Sequence, residues 1–239
     1  VIRRLSLELP DDVFPAGTDG RSIRLLAVSD ERDEALERES NREWLGKLDA
    51  IFGCGDLEPD YLAFLADALN APLLLVRGNH DRGGAWDAGM DHIPTTMDGH
   101  IDSVAGLSAL GLSWPGPARG RATRTDLGAW RQVIGAYLRA KLTGRRPQVV
   151  LSHVPPLGHG DVPGDPYHTG FAAYRWLCQR LQPVIWLHGH TPVAAAADWR
   201  SRLGQTTLVN VTNAVLIELG PAATIDVTGN RPASTEAAE

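Results

Sequence analysis

Five places in this 239-residue chain carry side chains suited to holding a metal ion: Asp30, Asp56, the Asn79-His80-Asp81 run, His153 and the His188-Gly189-His190 run. Each follows a short apolar stretch. Together they offer carboxylate, amide oxygen and imidazole but no thiolate. That donor set suits Mn²⁺, Fe or Zn²⁺ and fits poorly with an iron–sulfur cluster or a structural zinc. The two cysteines, Cys54 and Cys178, are not spaced as a metal-binding pair. A zinc ribbon or disulfide framework is therefore not expected, and a reducing cytoplasm is the expected setting.

The elements that must position these groups can be read from the apolar runs. Ile23 to Ser29, Asp49 to Cys54, Leu73 to Arg77, Gln148 to Ser152 and Val184 to Leu187 read as buried strands, and the polar groups stand at their C-terminal ends. In α/β architectures the loops at strand C-termini gather on one edge, and ligands bind there. Helices are expected over Ala35 to Lys47, from Pro59 onward with Tyr61, Leu62, Leu65 and Leu69 as the apolar stripe, over Thr125 to Leu142 and over Gly170 to Leu181. Ile101 to Ala105 and Leu107 to Ser113 read as consecutive strands. Thr206 to Val211, Ala214 to Leu219 and Ala223 to Val227 read as a closing antiparallel run. The pattern predicts an α/β (α+β) fold: a four-layer αββα sandwich of two mixed β-sheets flanked by helices. One domain is expected over residues 1–239, with a core of about 21–228 and loose ends, because Pro10 to Gly20 is turn-rich and Gly229 to Glu239 is small and polar.

Composition bounds the function from outside. A net charge of −6 counts against nucleic acid and anionic membrane as partners, which favour a basic surface. No stretch is long and apolar enough to span a bilayer, and Val1 to Asp19 lacks the apolar centre of a secretion signal.

Gly55-Asp56, Gly78-Asn79-His80-Asp81, Ser152-His153 and Gly189-His190 resemble, in order and spacing, the successive signatures of calcineurin-like metallophosphoesterases. The resemblance runs from about Ile23 to Ile217, and its most specific piece is Gly-Asn-His-Asp. It implies that Asp56, Asn79, His153 and His190 hold one divalent metal, with manganese leading and iron or zinc as the other options. Such a metal lowers the pKa of a bound water from 15.7 to about 7, giving a hydroxide that attacks phosphorus in line with the leaving oxygen. The resemblance further implies that His80 assists the leaving group, and Asp81 is expected to orient His80. The implied activity is hydrolysis of a small-molecule phosphate ester, which is the expected partner, with a lean toward phosphodiesters. The competing reading is a non-catalytic metal-binding scaffold of the same fold.

Two departures bear on a second metal position. Where the family opens with Asp-x-His this chain reads Asp30-Glu31-Arg32, and where the family closes with Gly-His-x-His it reads Gly189-His190-Thr191-Pro192. Both missing histidines belong to the same position, which leaves it Asp30 and the shared Asp56. Arg32 could set its guanidinium there and clamp a phosphate, Glu31 or His188 could serve as substitute ligand, or the second metal could bind weakly with water and substrate. The Ser29-Asp30-Glu31 opening resembles a bacterial branch of the superfamily, which keeps the final histidine. Pro192 is the change that this branch does not share. His168 is a further candidate for substrate contact, His188 for a supporting role, and Asn210 for bracing the site. Trp44, Trp130 and Trp176 fall on expected helices and are read as core packing, and Trp114 is read as a buried anchor or a stacking platform.

Overall fold

Alternation along the strands decides which layer each side chain enters. The structure is a computed structural model that describes residues 2–10, 12–15, 18, 20–116, 125–193 and 199–222. In chain order its first half contains β1 (Arg3–Leu9), β2 (Ile23–Ser29), α1 (Glu34–Glu37), α2 (Glu39–Leu45), β3 (Ala50–Gly53), α3 (Pro59–Leu69), β4 (Leu73–Leu75), α4 (Gly84–Gly89), β5 (Ile101–Val104) and β6 (Leu107–Leu112). The second half contains α5 (Asp126–Thr143), β7 (Val149–Ser152), α6 (Ala172–Leu181), β8 (Ile185–His188), β9 (Arg200–Leu203), β10 (Thr206–Asn210) and β11 (Asn213–Pro221).

The strands form two mixed sheets, ordered β1-β11-β2-β3-β4 and β5-β6-β7-β8-β10-β9. In the first, β2, β3 and β4 run parallel while β11 lies antiparallel to β2. In the second, β6, β7, β8 and β10 run parallel, and antiparallel β5 and β9 close the two edges. Leu25, Ala27, Phe52, Leu151, Leu187 and Ile217 fill the space between the sheets. Their strand neighbours Leu26, Val28 and Ile51 face outward onto Leu36, Leu45, Leu62 and Leu65 of the helices covering the first sheet. On the far side, Leu110, Val150 and Trp186 meet Val133 and Ala136 of α5 and Tyr174 and Leu177 of α6. Both faces of each parallel core are covered, as burial of such strands requires. These are the four layers expected from the sequence.

Three local readings are corrected. Residues before the expected core start form β1, which pairs in parallel with β11 from Arg3↔Val215 to Leu9↔Pro221 and turns Leu5 and Leu9 into the inter-sheet core. The helix expected over Ala35 to Lys47 breaks at Arg38, whose backbone is extended. Asn41 Nδ2 donates to the Ala35 carbonyl at 2.9 Å and Arg42 Nη1 to those of Leu36 and Glu37 at 3.0 and 2.7 Å, which occupies acceptors a continuous helix would use. Trp44, expected in the core, is exposed on α2 with the Arg4 guanidinium 4.0 Å over its ring. The expected strand at Ala223 to Val227 lies outside the described residues. Among the described residues no helix is long and apolar enough to cross a membrane.

If β1 is a core strand, Leu5→Ala should cost about 2–5 kcal/mol of stability in urea unfolding. An unchanged unfolding midpoint would show that residues 3–9 contribute no packing.

Candidate metal centre

The five chemistry-bearing groups meet at one edge of the sandwich. Asp30 follows β2, Asp56 follows β3 and Asn79 follows β4 in the first sheet. His153 follows β7 and His190 follows β8 in the second. The loops are stitched directly to one another. Ser29 Oγ donates toward the Cys54 and Gly55 carbonyls at 3.0 Å each, and the Asp30 N–H donates to the Gly55 carbonyl at 3.1 Å. Within the second sheet the Gly189 N–H donates to the His153 carbonyl at 2.9 Å, and across the two sheets the His190 N–H donates to the Asp30 carboxylate at 2.9 Å.

Three glycines permit this closeness by lacking a side chain. A Cβ on Gly78 would stand 2.1 Å from Asp56 Oδ1, and one on Gly189 would stand 2.2 Å from Asp30 Oδ2 and 2.0 Å from Ser29 Oγ. A Cβ on Gly55 would meet Gly78 N at 2.6 Å and His153 Nδ1 at 2.8 Å, and its φ of +92° independently favours glycine. Asp30, Asp56 and His190 themselves hold left-handed backbones, with φ of 63°, 57° and 68°. Such conformations cost on the order of 1–3 kcal/mol each in non-glycine residues and collect where function requires them.

The donor atoms converge. His153 Nε2 lies 3.0 Å from Asp56 Oδ2, 3.0 Å from Asn79 Oδ1 and 3.1 Å from His190 Nδ1. The opposite nitrogen of each ring is already committed: His153 Nδ1 donates to the Cys54 carbonyl at 2.9 Å, and His190 Nε2 donates to the Tyr167 carbonyl at 2.6 Å. Those bonds fix the tautomers so that both ring lone pairs face the two oxygens. Four acceptors around one point cannot satisfy one another by hydrogen bonding, whereas a cation satisfies all four. Ligands ~2.1 Å from a common ion and at right angles stand ~3.0 Å apart, which is the spacing seen. The residues therefore fit a divalent metal.

Electrostatics agree. Burial alone would raise the Asp56 carboxyl, but His153 and the His80 N–H, 2.8 Å from Oδ1, hold it below the usual carboxylate range. Burial alone would lower His153, yet Asp56 and Asp30 push its pKa up to about 10. Burial, with His153 beside it, pushes His190 down to about 4 and keeps its ring neutral. A field that draws a proton onto a buried imidazole also draws a metal ion.

The remaining candidates fall in different places. Asp30, Asp56 and His153 bring ligand atoms within 4.8 Å of one another. Asp30 is also engaged by its surroundings: the His190 N–H lies 3.1 and 2.9 Å from its two oxygens, and Thr212 Oγ lies 3.1 Å from Oδ2. Asp81 does not orient His80. Its buried Oδ2 accepts the Asp56 and Gly78 N–H groups at 2.8 and 2.7 Å, so it pins the two ligand loops together, and burial raises its pKa. The His80 ring is exposed and makes no hydrogen bond among the described residues. Arg32 is exposed, pairs with Glu58 at 3.1 Å and lies over Tyr61, with no contact to the cluster among the described residues. His188 is buried, its pKa pushed down to about 4 by burial, and its ring occupies the space a Cβ on Gly160 would need. His168 Nδ1 bonds Asp165 Oδ2 at 2.6 Å, and its ring centre is 5.4 Å from that of His190. Trp114 stands 6.2 Å from His190 and 6.0 Å from Phe171, ring to ring. Asn210 Nδ2 donates to the Thr191 carbonyl at 2.7 Å and Oδ1 accepts the Thr212 N–H at 2.9 Å, so it braces the turn after His190.

The sequence did not point to Thr212, which holds Asp30, or to the Cys54 and Tyr167 carbonyls that fix the imidazoles. A lone threonine between two strands has no motif, and a backbone carbonyl leaves no mark in the residue type. A cavity of about 650 Å³ lies at the other end of the strands against Leu9, Val13, Gln148 and Val184. It holds none of the converging donors.

A family model described as calcineurin-like phosphoesterase matches residues 44–194. The crystal structure of TT1561 of Thermus thermophilus is 16% identical, covers 80% of this chain and 90% of that one, and superposes with a TM-score of 0.55, which shows a shared fold. GAP50, the anchor in the inner membrane complex of Plasmodium, is 13% identical over 80% of this chain and 71% of that one, with a TM-score of 0.48. Vps29 from Entamoeba histolytica is 14% identical over 89% and 80%, with a TM-score of 0.38. No curated protein matches the chain.

Gly78→Ala and Gly189→Ala should each reduce bound Mn²⁺ at least tenfold by elemental analysis, because the added methyl displaces a ligand or its neighbour. Full metal content in both would show that the cluster tolerates a Cβ, against the close approach described.

Proposed function

The chain belongs to the calcineurin-like phosphoesterase family, and from that premise we propose that it is a metal-dependent phosphodiesterase whose metal is held by Asp56, Asn79, His153 and His190. The observation that carries this reading is the convergence of three acceptors to within 3.0–3.1 Å of a fourth, His153 Nε2. Manganese is the leading metal, with iron or zinc compatible with the same oxygen and imidazole donors. Asp30 and the shared Asp56 offer a second, weaker position. A cytoplasmic setting accords with two cysteines that are both free and buried.

When bound, the metal polarises a phosphoryl oxygen and brings the pKa of water from 15.7 to about 7. The protein's own contribution starts with orientation. The Cys54 and Tyr167 carbonyls hold the imidazoles in ligand tautomers, and Asp81 locks the loops that carry Asp56 and Asn79. His80 supplies the proton: its backbone is fixed to Asp56 Oδ1 while its ring is open to solvent and to the leaving oxygen. As a water oxygen bonds to phosphorus on the opposite side and the P–O bond breaks, the electron pair stays on the leaving oxygen, which takes a proton from the His80 ring. Trp114, Tyr167 and His168 stand around His190 and supply surface for the rest of a small-molecule substrate. A diester fits better than a monoester because it brings one negative charge, against roughly two for a phosphate monoester at neutral pH. The scaffold reading draws on Arg32 and Pro192 in place of histidines.

Chelator-stripped protein titrated with Mn²⁺ should hydrolyse bis(p-nitrophenyl) phosphate with saturable, metal-dependent turnover. His80→Ala should lower kcat about 10²–10⁴-fold while metal content stays unchanged. A protein that binds Mn²⁺ and turns nothing over would support the scaffold instead.

A further inference from the structure

Arg21, Arg24 and Arg32 face carboxylates, and Arg42 and Arg146 donate to backbone carbonyls. Arg77 and Arg82, which flank the Gly78-Asn79-His80-Asp81 run, do neither. Both are half-buried, and among the described residues neither side chain makes a hydrogen bond or an ion pair. Arg77 Nε and Arg82 Nη1 are shut off from solvent with no acceptor, and so is Trp114 Nε1. The other two nitrogens of each guanidinium stay open to solvent. These three residues line one small pocket together with Asn79 and Asp81. Asp81 does not neutralise the arginines, because its Oδ2 accepts the Asp56 and Gly78 N–H groups and it pairs with neither guanidinium. Residues 117–124, which continue from Gly116 on the pocket wall, contain no acid.

Two like charges beside one pocket repel, and the more so where little water lies between them. Each buried donor without an acceptor adds its own cost. The pocket itself measures about 10 Å³, room for one water at most. A water accepts two hydrogen bonds, so it leaves one of the three donors unmet and neutralises neither charge. An oxyanion does both: one oxygen enters the pocket, and the remainder lies across the mouth against the open guanidinium nitrogens.

We propose that Arg77, Arg82 and the Trp114 indole form a subsite for a second phosphate of the substrate, beside the phosphate that is hydrolysed. The proposal rests on the phosphodiesterase reading and narrows its substrate to an ester that carries a terminal phosphate close to the scissile bond. Position supports this. Asn79 lines the pocket and also holds Oδ1 3.0 Å from His153 Nε2, so the subsite and the metal centre share a wall. Trp114 joins them a second time, with its ring centre 6.2 Å from that of His190. Charge supports phosphate over carboxylate, since a terminal phosphate brings roughly two negative charges to two guanidiniums. The subsite binds and orients; the bond that breaks lies at the metal.

The test is calorimetric binding to Mn²⁺-loaded protein freed of excess metal, with methylenediphosphonate and methylphosphonate as probes that cannot be hydrolysed. Methylenediphosphonate should bind about tenfold tighter or more, and Arg77→Met and Arg82→Met, with metal content unchanged, should each remove most of that preference. Arg77→Lys keeps the charge without the fork and should retain part of it. Phosphonoacetate, with a carboxylate in the second position, should bind more weakly than methylenediphosphonate; equal binding would overturn the choice of phosphate. Because neither guanidinium has a partner within the fold, both Met variants should match or exceed the wild-type urea midpoint without ligand. A clear loss of stability would assign the arginines a structural role and overturn the subsite. So would equal binding of the two phosphonates, or a preference that survives both substitutions, which belongs to chelation of the metal. Binding is read without turnover, so the two readings fail separately. A protein that hydrolyses bis(p-nitrophenyl) phosphate but lacks the preference loses only the subsite. One that shows the arginine-dependent preference and hydrolyses nothing keeps the subsite and loses the esterase reading.

Discussion

Lone pairs aimed at a common point repel unless a positive charge lies among them, and much of the local structure around this site is arranged to aim them there. The Cys54 and Tyr167 carbonyls turn two imidazoles inward. Asp81 gathers the Asp56 and Gly78 N–H groups onto one buried oxygen, so the loops after β3 and β4 cannot separate. Glycines at 55, 78 and 189 remove the methyl groups that would hold the loops apart. Three left-handed residues then direct a side chain where a relaxed backbone would not. None of these features stabilises an isolated strand or helix. They are consistent only with the centre as a whole, which the sheets must therefore be rigid enough to support.

Asp30 is tied into the loops around it as well as turned toward the converging donors. It sits at the strand end where a ligand is expected, yet the His190 N–H and the Thr212 hydroxyl already hold its oxygens. It thereby fixes the backbone of the last ligand of the tighter site. Arg32 is tied to Glu58 and Tyr61, so the cation that replaces a histidine in the sequence does not replace it in space. Asp30 thus supports the loop that carries His190.

Much of this was legible in the sequence because the informative residues are local. Each ligand follows its own apolar run, and each motif glycine adjoins its ligand, so Asp56, Asn79, His153 and His190 could be grouped before their distances were known. What depends on distant partners was not legible. Leu5, Leu7 and Leu9 alternate with Arg4, Ser6 and Glu8 as an edge strand does, but their partner β11 lies more than 200 positions away. Side-chain capture of carbonyls by Asn41 and Arg42 broke a helix whose apolar spacing looked continuous. Asp81 adjoins His80 in the chain, and that adjacency suggested a partnership which burial of its carboxylate rules out. Leu127, Ile134, Leu138 and Leu142 of α5 are of the same residue types as its buried stripe, and only the fold shows that they are exposed.

The position of β11 between β1 and β2 has a consequence for how the chain reaches this state. Strands β1 and β2 are never neighbours, and the strand that joins them is the last one described. At ribosomal rates of about 5–20 residues per second, β2 waits roughly 10–40 s for its antiparallel partner. During that interval one edge of β2 is unpaired and its apolar faces lack a wall, as is typical of folds dominated by distant pairing. Thr212, which grips Asp30, arrives with the same segment. Assembly of the first sheet and completion of the centre are therefore one late event, and a nascent chain halted before residue 213 would carry every candidate ligand without the strand that holds the first sheet together.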